Sequence, residues 1–432
     1  MLAGEAARAA GRYEEMLELY RAAVELRRAL KDQDALAGAL AGAGAALSRA
    51  GQIAHAVEYL EAGLAEVPDA SGPGLVQLLR LLGNTLNRAD RRVEGTAVLE
   101  RMLVLAERLG LREAVLEGLL AKSSNFNPLG RLIEATVLAD GARRAAEGAG
   151  YPRLALAAIT QQSANEGDES PSRAVALSRE GAALARRLGD TNQLAMAILN
   201  GTDAAFHTGD WTWAREESDR LLSLDLSGTD RLQITANARV IDILRGRPDP
   251  RLEESLADLQ AATSSLSLGT FSLDLVFWPL WIAGEYDQAI AIQRQIAAGD
   301  RLNAPMSLAR GIRAALWKGD AAVARELFDS YAGMGRRGAF LDASLTGCEA
   351  GVLAIEGDLD GSAQRYRALQ GAFDSIGCAF DIAQFALDAV ILHGAATALG
   401  REMAAVARPI LERLEARPYL DKLEALEAAA VG

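Results

Sequence analysis

The residues of this sequence that could do chemistry are few and far apart. Its three histidines, His55, His207 and His393, lie in different parts of the chain, and its two cysteines, Cys348 and Cys378, form no CxxC pair. No HExxH, Gly-x-Ser-x-Gly or Gly-x-x-x-x-Gly-Lys-Ser/Thr motif occurs, so zinc, serine-hydrolase and phosphate-loop chemistry have no sequence support. The sequence therefore predicts no enzyme, no metal site and no cofactor.

One glycine pair partly matches a dinucleotide-binding fingerprint. Gly42 and Gly44 are two residues apart, but the third glycine is missing and no strand precedes them. They lie inside a helical pattern, where a glycine usually marks the close approach of another backbone. We expect them to serve helix packing.

The elements that must position any site recur along the whole chain. Short turns, most of them containing Gly, occur near residues 11, 51, 90, 130, 167, 209, 246, 284, 319, 357 and 400, a mean spacing of about 39 residues. Apolar residues between the turns follow a 3.6-residue period, and no stretch alternates as a strand would. The pattern predicts an all-α array of about eleven helical hairpins.

The turns themselves predict helix ends. Gly at a turn permits a positive φ at the end of a helix. The Asp residues that follow it are suited to begin the next helix, where their carboxylates accept backbone N–H groups. These are Asp210, Asp320 and Asp358.

Gly284, Tyr286 and Ala289, with Gly44 and Gly83 each seven residues before a turn, resemble the signature of tetratricopeptide repeats. The resemblance implies a right-handed α-α superhelix, a TPR-like solenoid. The period exceeds the family's usual 34 residues. The chain resembles the arrays of ATP-binding LuxR-type regulators and of bacterial cyclases fused to an NTPase module. The resemblance lies in this longer period and in segments 187–190 and 407–418.

We expect tandem repeats over residues 1–418, with the first repeat truncated, and a C-terminal capping helix and tail over 419–432. Leu420, Leu423 and Leu426 would form the buried side of that helix. The start resembles one cut from a longer array, so any catalytic part would lie upstream. No helix-turn-helix pattern follows residue 418, which favours the cyclase or NTPase type over the LuxR type.

In tetratricopeptide arrays the first helix of each unit lines a concave groove, and equivalent positions there form two rows in this chain. The first row contains Asn84, Ser124, Gln161 and Asp203, which are 40, 37 and 42 residues apart, and then Trp278. The neighbouring row includes Arg88, Asn165 and His207. Amides suit recognition of an extended backbone, whereas a solvated face without ligand is the alternative.

Trp278 and Trp281 flank Pro279 and fit either an aromatic patch for a partner or repeat core. The candidate groove residues are Arg80, Asn84, Asn87, Arg88, Ser124, Asn127, Gln161, Asn165, Asp203, His207, Trp278 and Trp281.

Composition excludes several classes of partner. The chain has 45 basic and 58 acidic residues, a net charge of −13, and no basic block, so we expect neither nucleic-acid nor anionic-membrane binding. Its most apolar run, 275–284, is too short to cross a bilayer, and its start lacks a signal-peptide core. Two unpaired cysteines suit a reducing cytoplasm.

Together these patterns predict a protein–protein interaction or regulatory scaffold. The resemblance to the cyclase and LuxR-type arrays implies that it is part of a bacterial signal-transduction protein. It would bind a partner protein or peptide, or an attached upstream domain, in the concave groove. The alternative is a ligand-sensing region that controls an attached cyclase, ATPase or transcriptional-regulator domain.

Overall fold

A computed structural model describes residues 13–224, 226, 228–247 and 266–431. The predicted turn at Gly11 and the prolines Pro248 and Pro250 lie outside the described residues. The described chain is all helix and turn, without a strand, and the helices are α1 Tyr13–Leu30, α2 Gln33–Arg49, α3 Ile53–Glu66, α4 Pro73–Arg88, α5 Arg92–Arg108, α6 Arg112–Phe126, α7 Leu132–Ala149, α8 Pro152–Glu166, α9 Pro171–Leu188, α10 Thr191–Thr208, α11 Trp211–Leu222, α12 Gly228–Leu244, α13 Leu266–Ala283, α14 Tyr286–Gly299, α15 Ala304–Lys318, α16 Ala321–Gly333, α17 Ala339–Ile355, α18 Leu359–Ser375, α19 Ala379–His393, α20 Ala398–Leu414 and α21 Arg417–Val431.

Within residues 13–247, and again within 266–431, consecutive helices are joined by short connections and pack as hairpins. The fold is therefore the predicted all-α, tetratricopeptide-like array of helical hairpins. The chain divides into two compact units, residues 1–161 and 162–432. The repeat pattern does not mark this division, because α8 runs through it without a break.

Most turns lie at the predicted glycines. The structure corrects two predictions, the helix cap at Asp210 and the turn at Gly400. Asp320 and Asp358 accept the backbone N–H groups of Val323 and Gly361, as predicted for helix N-caps. The same prediction is wrong for Asp210, which makes no such bond because its carboxylate is bound by Thr208 and Arg179 instead.

The last turn was predicted at Gly400, but Gly400 lies inside the first turn of α20. The chain reverses at Gly394, whose φ is +87°. The Thr397 hydroxyl then caps the helix by accepting the Gly400 N–H. Gly400 is small for a different reason: a Cβ there would lie 2.1 Å from the Gly394 carbonyl oxygen.

The close-packing prediction for the glycine pair in α2 is confirmed. A Cβ on Gly42 would lie 2.1 Å from the Tyr20 ring, and one on Gly44 would lie 2.3 Å from Leu60. Each glycine therefore lets a neighbouring helix approach α2. The dinucleotide-fingerprint alternative has no strand to build on.

The second unit closes on itself at two places. The Asp168 carbonyl oxygen accepts the Phe340 N–H at 3.1 Å, and the Asp168 carboxylate pairs with Arg336 at 2.5 Å. Farther along, α10 packs against α19, and the ring centroids of Phe206 and Phe380 are 5.2 Å apart. Helices distant in sequence thus share one core within this unit.

Helix α21 is the last helix of the described residues. Leu420 and Leu423 are buried and Leu426 packs partly against the same core, so the predicted apolar side of this helix faces inward. The helix begins at Arg417, two residues before the predicted start. Among the described residues, no helix combines the length and apolar composition that a bilayer crossing requires.

Candidate functional site

The first unit contains a groove of about 560 Å³ in which α2 and α4 form the main walls. Its lining includes Gly38, Ala41, Gly42 and Ala45, all from α2. These side chains end at or before Cβ, so the space above them stays open between two neighbouring helices. The groove is a consequence of small residues at consecutive turns of one helix.

Three of the sequence-predicted residues line this groove together. Arg80, Asn84 and Arg88 are four residues apart along α4, so they project from one face of the helix. Gln77 extends the same row by about one turn, and Arg49 faces it from α2. The amides can both donate and accept hydrogen bonds, whereas the arginines can only donate.

The arginines of the groove differ in how they are held. Arg80 lies 3.3 Å from the Glu117 carboxylate, and burial raises the pKa of Glu117 against the opposing effect of Arg80. Arg88 donates from Nη1 to the Ser48 carbonyl oxygen at 3.0 Å and to the Ser48 hydroxyl at 2.7 Å. Desolvation lowers the pKa of Arg88, and the like charge of Arg49 lowers it further.

Other predicted residues of the first unit lie outside the groove lining. The Asn87 side-chain oxygen accepts a hydrogen bond from Arg92 at 2.5 Å, which turns it toward the end of the hairpin. Ser124 is half-buried on α6, and Asn127, at the end of the same helix, is buried. Gln161 on α8 is half-buried.

In the second unit the prediction of an open groove is wrong for most of its members. Asn165 is completely buried, and Trp278 and Trp281 are 1% and 2% exposed. The two tryptophans contact Phe277 and each other, and Pro279 lies within their helix, so the core interpretation holds and the partner-patch interpretation does not. The approach of α19 to α10 fills the space that the groove would need.

Asp203 and His207 both lie on α10, but their side chains have different surroundings. His207 is buried, and its Nδ1 is 3.0 Å from Asp381 on α19. Asp203 is exposed at a small recess that Trp278 and Arg310 also line.

Sequence reasoning missed a buried ionic cluster in the second unit. Arg313 and Asp388 are 4% and 1% exposed, and Arg313 donates to both carboxylate oxygens, at 2.6 and 3.0 Å. Trp317 donates its Nε1–H to the same carboxylate at 2.6 Å, and the Gln384 carbonyl oxygen accepts a further bond from Arg313. Arg313 and Asp388 are 75 residues apart, and nothing in the local pattern pairs them.

The metal-binding and cysteine residue types can be checked among the described residues. The described residues contain no group of three or more His, Cys, Asp or Glu side chains placed to hold a metal ion. Cys348 and Cys378 are buried and unpaired, and burial raises the pKa of both thiols, which disfavours the reactive thiolate. His55 is exposed beside Gln52.

His393 supports structure rather than ligand binding. Its Nε2 is 2.9 Å from the hydroxyl of buried Ser362, and desolvation, with a contribution from Arg367, lowers its pKa. The unfolded chain, with a histidine pKa of about 6.5, then binds more protons than the native state at mildly acidic pH. The stability linked to this lowered pKa is fully present when the pH is above the histidine pKa of the unfolded chain. It is lost as the pH falls through the lower pKa of the folded chain.

We therefore expect the difference in free energy of unfolding between the wild type and His393→Asn to shrink as the pH falls from about 7.5 to about 5.5. Urea unfolding of the two proteins at several pH values measures it. A difference that stays constant or grows toward acidic pH would contradict the neutral state of half-buried His393.

Comparisons with known proteins add little to these observations. No family model and no curated protein matches the chain. Among solved structures, a Rap protein complexed with competence and sporulation factor is 14% identical, with a TM-score of 0.48 over 87% of this chain and 96% of that one. The TPR domain of P58(IPK) is 15% identical, with a TM-score of 0.27 over 95% and 97% of the two chains. The helical-repeat assignment rests on the helices and turns of the chain itself.

Proposed function

We propose that this chain is a protein-binding scaffold that holds an extended segment of a partner protein in the groove of its first unit. The observation that carries the proposal is the groove itself, in which a floor of small residues runs beside Gln77, Arg80, Asn84 and Arg88. Small floor residues leave room for a backbone to approach. Amides at the wall can pair with peptide N–H and C=O groups.

The second unit supports this proposal by contrast. Its corresponding positions are filled by Trp278, Trp281 and α19, so the rows of polar residues do not continue there as an open groove. We propose that the second unit is a stable folded body that follows the binding unit in the sequence. Large aromatic side chains fill its core, whereas the lining of the first unit is polar and small.

We place this scaffold in the cytoplasm, as a non-catalytic part of a bacterial signal-transduction protein. The partner segment would come from another protein or from a domain attached upstream. The support is the sequence resemblance to the arrays of cyclase–NTPase proteins and the two buried, unpaired cysteines.

The test selects peptides from a library on the wild type and then blocks the groove by mutation. Ala45→Phe places a ring on the groove floor, and Ala62→Phe places the same ring on an exposed position of α3. We expect peptides selected on the wild type to lose at least about tenfold in affinity for Ala45→Phe and to keep their affinity for Ala62→Phe. Circular dichroism checks that both variants fold.

Two outcomes would sink the proposal. Selected peptides could bind both variants equally, or no peptide could be selected at all. In the second case a metabolite screen by thermal stabilisation tests the alternative, a ligand-sensing region that controls an attached cyclase, ATPase or transcriptional-regulator domain.

A further inference from the structure

The groove of the first unit carries a charge opposite to that of the chain. Its lining includes three guanidinium groups, Arg49, Arg80 and Arg88, and one carboxylate, Glu117. The whole chain has a net charge of −13. Arg49 and Arg88 are both exposed, so this local excess of positive charge is accessible to a partner.

Arginines elsewhere in the chain commonly face carboxylates. Arg325 lies 2.5 Å from Glu356, and Arg367 lies 2.9 Å from Glu402. Within the described part of the chain, neither Arg49 nor Arg88 forms an ion pair, and the hydrogen bonds of Arg88 go to the neutral acceptors of Ser48. The two like charges disfavour each other, and a bound anion would relieve this cost.

Resting on the proposed function, we propose that the groove selects an acidic segment of the partner, with side-chain carboxylates bound by Arg49 and Arg88. A carboxylate accepts two parallel N–H bonds from a guanidinium, which gives direction as well as charge neutralisation. Asn84, one turn before Arg88 in the same wall, is placed to pair with the backbone of that segment.

The length of the wall sets the spacing of the acidic residues. Arg80 and Arg88 are eight residues apart on α4, which is about 12 Å along the helix axis. An extended peptide covers that distance in about four residues. The carboxylate that reaches Arg88 and Arg49 makes the stronger contact, since Arg80 already faces Glu117 at 3.3 Å.

A nucleic acid is the less favourable anion for this groove. Its backbone would place further phosphates along the walls beyond the three arginines, against a chain of net charge −13. The small floor residues Gly38, Ala41 and Ala45 suit a peptide backbone, and no aromatic ring is available there for stacking bases except buried Tyr20.

The test compares charge-matched peptides on charge-matched variants of the full chain. The probes are fluorescein-labelled peptides of alternating Glu and Ser, their Gln and Ser counterparts, and a single-stranded oligonucleotide of similar length. The variant Arg49→Gln/Arg88→Gln removes two charges inside the groove. The control Arg101→Gln/Arg108→Gln removes two exposed charges from α5.

At about 50 mM salt we expect the Glu peptide to bind the wild type at least about tenfold more tightly than the Gln peptide. The groove variant should lose this preference and the control should keep it. Arg88→Lys, which retains the charge, should preserve part of the preference, which separates charge from the structural bonds to Ser48. Exposed Arg49→Gln alone should reduce the preference without affecting folding.

Equal binding of the Glu and Gln peptides, or an equal loss in both double variants, would overturn the inference. Tighter binding of the oligonucleotide would overturn it in favour of a nucleic-acid site. The proposed function fails separately: if library peptides are blocked by Ala45→Phe but show no acidic preference, the groove binds peptides and only the charge selection is wrong.

Discussion

Replacing Asp388 with Ala should lower the free energy of unfolding of the second unit by about 3–5 kcal/mol. Asp388 is 1% exposed and neutralises Arg313, which is 4% exposed. Without the carboxylate, the guanidinium charge remains buried and unpaired, and the Trp317 indole N–H loses its acceptor. Urea unfolding followed by tryptophan fluorescence measures the change, because all five tryptophans lie between residues 211 and 317.

Two controls separate the buried charge from a general effect of losing an ion pair. Glu356→Ala breaks the exposed pair with Arg325 and should cost at most about 1 kcal/mol. The double variant Arg313→Leu/Asp388→Leu removes both charges and should recover much of the loss. If Asp388→Ala costs no more than Glu356→Ala, the pair is not the stabilising contact that its burial indicates.

Replacing Asp34 with Ala should destabilise the start of α4 by about 2 kcal/mol. One Asp34 carboxylate oxygen accepts the N–H groups of Gly72 and Leu75, at 2.9 and 3.0 Å, and the other accepts that of Gly74 at 2.9 Å. Asp34 thus caps a helix about 40 residues downstream. A Cβ on Gly74 would lie 1.9 Å from the Asp34 carbonyl oxygen, so the two hairpins meet closely there.

Hydrogen exchange over α4 measures this effect, with Asp32→Ala as a matched control. Asp32 caps its own helix through a single bond to the Ala35 N–H. Its loss should cost about 1 kcal/mol and leave exchange in α4 unchanged. Asp34→Ala should accelerate exchange in α4 and weaken partner binding, because this helix carries Arg80, Asn84 and Arg88. Equal protection of α4 in both variants would argue against the capping role.

The parts of the fold that sequence reasoning predicted depend on neighbours within a few residues. Gly284 has a positive φ of 81° at its turn, and Asp320 and Asp358 cap the helices that they precede. Each of these features is settled by one turn of backbone and its own side chain. The same local reasoning misplaced the last turn at Gly400, because Gly394 was free to reverse the chain earlier.

The candidate site shows where such reasoning stops. Counting along the repeats brought Arg80, Asn84 and Arg88 to one face, since residues four apart on a helix project together. Counting across repeats put Asn165 and Trp278 in the same kind of row, but both are buried. Row position gives the face of a helix; whether another helix covers that face depends on how the hairpins stack.

The sequence by itself determined that this protein is a chain of helical hairpins, where the hairpins turn, and which faces of α4 are polar. Periodicity and turn chemistry are short-range properties, so they can be read without knowing the rest of the fold. The tertiary structure alone decided that α19 fills the second unit, that Arg313 meets Asp388, and that Asp34 caps α4. These contacts join residues about 40 to 170 positions apart, and small changes in packing angle at each repeat accumulate over such distances.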